Sequence, residues 1–124
     1  MAIGDDFTTK LMDDMDPELL EMVQSAINSF IKWDLVRFFH ENPNTTGSIE
    51  NIATYLGRGV VAIEPEVNEL VESGFMEKRI VGQVPVYSLT LDPERRQQIA
   101  QFVTACSDRH FRVKAVYHII RGMR

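Results

Sequence analysis

Residues 67–79, VNELVESGFMEKR, change their apolar period in mid-stretch, and that change constrains the fold more than any other feature. Upstream, Ile63, Val67 and Leu70 recur at steps of four and three, the spacing of one helix face. Gly74 stops that pattern, and FMEKRIV and VYSLTL then read as two short strands around GQVP, with Pro85 at an edge or turn position. A helix that runs through a glycine turn into a two-stranded hairpin needs a second layer to cover its apolar row, so helices are expected on either side.

Those helices have readable starts and stops. Asp16-Pro17 gives an N-cap followed by proline at the first helical position, with Glu18 and Glu21 near the positive end of the dipole. Apolar residues from Leu19 to Phe39 recur at three and four, and Asn28-Ser29 offers a break, so the reading is a helix over 17–28 and a second over 29–41 ended by ENPN. Ser48 caps a short helix from Ile49 to Leu56, closed by Gly57. Asp92-Pro93 repeats the cap-plus-proline start and opens a helix able to reach Arg121.

The third helix contains Pro65, which lacks an N–H and clashes with the carbonyl four residues back. A turn or 3₁₀ piece over Val60–Ile63, with the regular helix starting at Pro65, is therefore expected. In the last segment Ile99, Phe102, Cys106, His110, Val113, Tyr117 and Ile120 form one stripe if the helix is continuous. Such a helix outreaches the domain in front of it, so a second copy is expected to cover it, helped by Leu19, Val23 and Ile27 of the first helix. The alternative is a break near Ser107-Asp108, with the chain folding back on its own core.

The order helix, helix–turn–helix, two-stranded hairpin, helix, carried by IKWDLVRFFHENP, SIENIATYLG, VNELVESGFMEKR and VYSLT, resembles the winged helix–turn–helix domain of transcriptional regulators of the ArsR and MarR type over about residues 29–91. The expected fold is thus mainly α with a small β-hairpin. It comprises a flexible tail over 1–15, a winged helix–turn–helix domain over 16–91 with its preceding helix 16–28, and a C-terminal dimerisation helix over 92–124. The resemblance implies a homodimeric regulator whose third helix enters the major groove of DNA, with contacts from Arg58, Asn68, Lys78 and Arg79. The dimer face would comprise Leu19, Val23, Ile27, Ile99, Phe102, Cys106, Val113, Tyr117 and Ile120.

Charge cuts across that expectation. Residues 1–72 hold 14 acids against 4 bases, and residues 92–124 hold three acids against seven bases. The third helix itself carries Glu64, Glu66, Glu69 and Glu72 and no lysine or arginine. Glu64 and Glu66 suit the start of a helix beginning at Pro65, but they face any phosphate docked there. The rival reading is a winged-helix module that docks a protein on this acidic helix. The implied partners are therefore a second copy and either double-stranded DNA or a protein.

No cofactor, metal or membrane span is expected. Asp108, His110 and His118 are similar to the Asp-x-His…His pattern of zinc-sensing ArsR proteins, but the two histidines lie too far apart along a helix to share one ion. Cys106 and His110, four apart, share a helix face and could bind metal only together with a second copy, but a single cysteine on an apolar stripe reads first as core. The single cysteine excludes an internal disulfide and fits a reducing, cytoplasmic setting. No phosphate-binding glycine loop or nucleophile context is present, so no enzyme is expected.

Overall fold

The computed structural model describes residues 15–122. Residues 1–14 of the expected tail lie outside the described residues, and its last residue, Met15, is not tail but is buried in the core. The fold is mainly helical with a small three-stranded antiparallel sheet, an order compatible with a winged helix.

Helix α1 (Pro17–Glu21) is capped by the Asp16 carboxylate, which accepts from the N–H groups of Glu18 (2.9 Å) and Leu19 (3.3 Å). It widens into a π-helical turn, Met22–Ala26, that buries Met22, Val23 and Ala26. The chain breaks at Ile27–Ser29 as expected, and Ser29 caps α2 (Phe30–Glu41). Ser48 and Asn51 form a reciprocal capping box on α3 (Ile49–Leu56), which Gly57 ends in the left-handed conformation at φ 66°.

Helix α4 (Val60–Glu72) departs from expectation. It is continuous through Pro65, with no separate turn over Val60–Ile63. The physical reason is a balance of two effects. Pro65 forfeits one hydrogen bond, to the carbonyl of Val61, a residue that is 89% exposed and open to water. Straightening the first turn would instead lift Ile63, which is fully buried, out of phase with Val67 and Leu70. An interior proline costs about 3 kcal/mol, and the single phase that buries Ile63, Val67 and Leu70 together contributes about 1.5–3 kcal/mol per side chain, which offsets it.

Strands β2 (Met76–Val81) and β3 (Val84–Leu89) pair from Met76↔Leu89 to Val81↔Val84. The two residues between them, Gly82 and Gln83, have φ of 55° and 71°. Positive φ at both positions is the mark of a type I′ turn, whose twist matches that of the strands. Strand β1 (Thr46–Gly47), which the sequence pattern did not announce, adds to the other edge of β3 and fixes the α2–α3 connection.

The C-terminal segment is not one helix. It divides into α5 (Pro93–Ala105) and α6 (Arg109–Gly122), so the break near Ser107-Asp108 is the observed alternative. The local chemistry accounts for it. The Ser107 hydroxyl donates to the carbonyl of Thr104 (2.7 Å), Asp108 accepts from the N–H of His110 (3.0 Å), and an Arg112 N–H takes up the freed carbonyl of Cys106 (2.8 Å). Helix α6 then folds back against the π-helical turn and buries Phe111, Ala115, His118 and Ile119. Trp33 of α2 meets Phe102 of α5 edge-on at 5.4 Å, and Phe102 meets Phe111 of α6 at 5.9 Å, so three helices share one aromatic centre.

Candidate nucleic-acid interface

Helix α4 presents its fully buried row, Ile63, Val67 and Leu70, to the core, which leaves Val60, Val61, Ala62, Glu64, Pro65, Glu69 and Glu72 exposed. Two of its four glutamates are turned toward α2. Glu66 accepts a hydrogen bond from the Ser29 hydroxyl, so the serine that caps α2 also ties it to α4. Glu69 pairs with Lys32, whose Nζ also donates to Asn28 at 2.7 Å. The Lys32 side chain is 4% exposed and that of Glu69 54%, so the pair runs from the core edge to solvent. Lys32 occupies the α2 face that also buries Leu35, Val36 and Phe39. A lysine on an apolar row was the available signal, but its partner lies 37 positions away and no local pattern joins them.

The four residues expected at DNA fall in three settings. Arg58 Nη2 lies 2.6 Å from Asp34 Oδ2 with both side chains well exposed, an ion pair worth about 0–1 kcal/mol that a phosphate can displace. Asn68 is half-buried and its Oδ1 accepts from the Tyr87 hydroxyl at 3.4 Å, a long bond that joins α4 to the hairpin. That leaves the amide N–H₂, the donor end, for another acceptor. Lys78 pairs with Tyr87 and so shares the sheet face that looks toward α4, whereas Arg79 pairs with Val86 and lies on the opposite face. The structure therefore brings Asn68 and Lys78 to one surface and sends Arg79 to the other side of the wing. At the hairpin tip Ile80, Val81 and Val84 are exposed.

The expected dimer face is divided as well. Val23, Ile27, Ile99, Phe102 and Cys106 are buried in the chain's own core, and Leu19 packs against it. Val113 and Ile120 are 49% and 57% exposed, with half-buried Tyr117 between them on the outer face of α6. The continuous stripe read from the sequence was a product of assuming an unbroken helix. The break also separates Cys106 from His110, and among the described residues no three histidine, cysteine, aspartate or glutamate side chains gather at metal-binding distance. Burial pushes the Cys106 thiol up to about 11, against the pull of Arg37 and Arg112, so it stays protonated and inert at neutral pH. Burial, aided by Arg121, lowers the pKa of His118 below its ordinary value, and its Nε2 has no hydrogen-bond partner. No helix among the described residues is long and apolar enough to cross a membrane.

No protein-family model matches the chain, and no curated protein matches it in sequence. The described residues form a mainly helical fold with a small three-stranded antiparallel sheet, in which α4 carries four acids and no base and α6 only basic charge.

Proposed function

We propose that this chain is a winged helix–turn–helix regulator of transcription that acts as a homodimer and meets double-stranded DNA with α4 and the wing. The observation that carries the reading is that Glu66 and Glu69 are each paired with a residue of α2 or its cap. Glu66 is tied to Ser29, and Glu69, though its side chain is 54% exposed, is neutralised by Lys32. This leaves Glu64 and Glu72 as the α4 acids without such a partner among the described residues, and Asn68 is held by Tyr87 beside Lys78. Arg58 supplies a phosphate contact once it exchanges Asp34 for DNA. Few cations are involved, so binding to random duplex is weak, no tighter than about micromolar at about 150 mM salt. In a dimer, the outer row of α6, Val113, Tyr117 and Ile120, is the self-contact surface that remains after the core is filled.

A second reading, protein docking on the acidic α4 and the wing, is favoured by the exposed Val61 together with Ile80, Val81 and Val84 at the hairpin tip. Fluorescence anisotropy with a labelled duplex of about 30 base pairs, at several salt concentrations, separates the two. On the DNA reading Glu64→Gln tightens binding, and Lys78→Gln weakens it and flattens the salt dependence by about one phosphate contact. If neither variant nor the wild type binds duplex at low salt, the DNA reading is wrong and the docking reading stands. Sedimentation tests the dimer: Val113→Glu with Tyr117→Glu yields monomer, since unpaired charge is not tolerated in an apolar seam. A wild type that is already monomeric at micromolar concentration removes the dimer.

A further inference from the structure

A groove of about 480 Å³ lies between α2, the turn that leads into α4, and the start of α6. Phe30, Trp33, Val113 and Val116 make its apolar walls, and Arg58, Arg112 and Asp34 supply its polar groups. The volume falls in the range of small-molecule sites, which are mostly apolar with a few fixed polar groups. Both guanidinium groups are held in place. Arg112 donates from Nη1 to the Cys106 carbonyl (2.8 Å), and Arg58 donates from Nη2 to Asp34 (2.6 Å). Each guanidinium has five N–H donors in a planar fork, so donors remain on both. Two cations against one carboxylate leave a single positive charge in excess at the edge of an apolar trough.

From this arrangement we propose that the groove binds a small organic monoanion with an apolar body. The body lies along Phe30, Trp33 and Val116, and a carboxylate-type head meets Arg112, with Arg58 beside it. A carboxylate fits because its two oxygens match the guanidinium fork. A neutral ligand of the same shape leaves that charge unanswered. A dianion meets the Asp34 carboxylate. The site bears on α4 through the chain itself, because Arg58 directly precedes Gly59, the N-cap of that helix. A ligand that draws Arg58 away from Asp34 therefore acts at the start of α4. The binding claim is independent of whether α4 meets DNA.

Trp33 is the single tryptophan of the chain and lines the groove, so its fluorescence reports directly on occupancy. Titration of the full-length protein with decanoate is expected to give a saturable change, and decanol to bind at least about tenfold more weakly, as the loss of a charged hydrogen bond requires. Arg112→Gln should bring decanoate affinity down to that of decanol, and Arg112→Lys should restore part of the preference. Thermal melts of both variants verify that they fold. If Arg112→Gln does not, the decanoate–decanol comparison on the unaltered protein still decides. Equal binding of acid and alcohol, or no saturable signal at millimolar decanoate, overturns the proposal. Sedimentation run in parallel provides the remaining test. A fluorescence change that only follows a change in self-association makes a second copy the occupant of the groove and also overturns it.

Discussion

Helices α4 and α6 are similar in length and each carries charge of one sign, yet they relate to the core in opposite ways. On α4 the apolar row at steps of four and three is the buried row, and half of its acids have partners on α2 and its cap, Lys32 and Ser29. On α6 the row read at the same steps, Val113, Tyr117 and Ile120, faces outward, while Phe111, Ala115, His118 and Ile119 are buried instead. The difference arises upstream. Helix α4 keeps its phase because burial of the row Ile63, Val67 and Leu70 offsets the cost of Pro65. Helix α6 starts afresh after the turn at Cys106–Asp108, and a new start resets which residues face the core. Apolar periodicity therefore locates a buried face only within a helix whose start is known.

Truncation gives the largest test of this contrast. Leu70→Ala on α4 is expected to cost about 3 kcal/mol, because the site is fully buried and enclosed. Val113→Ala on α6 should cost under about 0.5 kcal/mol in chemical denaturation at concentrations where the chain is monomeric, and more where the proposed dimer covers that row. Similar losses at the two sites would mean that the α6 row is covered in solution.

Next in size is the tie between α4 and α2. Glu69→Gln leaves Lys32 with Asn28 and a neutral partner, and an expected loss of about 1–2 kcal/mol follows from weakening a charged hydrogen bond at the core edge. No loss in urea unfolding would place Glu69 in solvent rather than on Lys32.

The reset of α6 depends on its cap. Asp108→Ala should cost about 1 kcal/mol, whereas Asp108→Asn should be nearly neutral because the amide oxygen still accepts from His110. Equal effects of the two changes would argue for a charge role instead of a cap.

The smallest expected effect is a pH dependence at His118. The unfolded chain takes up this proton near the ordinary value of 6.5, whereas the buried ring, with Arg121 nearby, resists it to lower pH. Stability from neutral His118 is thus complete above 6.5 and falls as the pH drops below it. His118→Gln should flatten that part of the thermal-unfolding profile. An unchanged slope would assign it to other groups.

Sequence alone was sufficient wherever the deciding interactions lie within about four residues of one another. The caps at Asp16-Pro17, Ser48 and Asp92-Pro93, the stop at Gly57, the row Ile63–Val67–Leu70 and the hairpin around Gly82 are all of this kind, because helix starts, stops and tight turns are satisfied by near neighbours. The candidate site was legible only in its parts. Arg58, Asn68, Lys78 and Arg79 could be named from sequence. That Arg58 rests on Asp34, that Tyr87 orients Asn68, and that Lys78 and Arg79 point to opposite faces could not. Tertiary structure alone decided that Pro65 stays inside α4, that β1 joins the sheet, that the last segment divides, and that Glu66 and Glu69 pair with partners 37 positions away. These outcomes are set by competition between a local cost and burial against distant segments, and the distant term appears only once the chain has closed on itself.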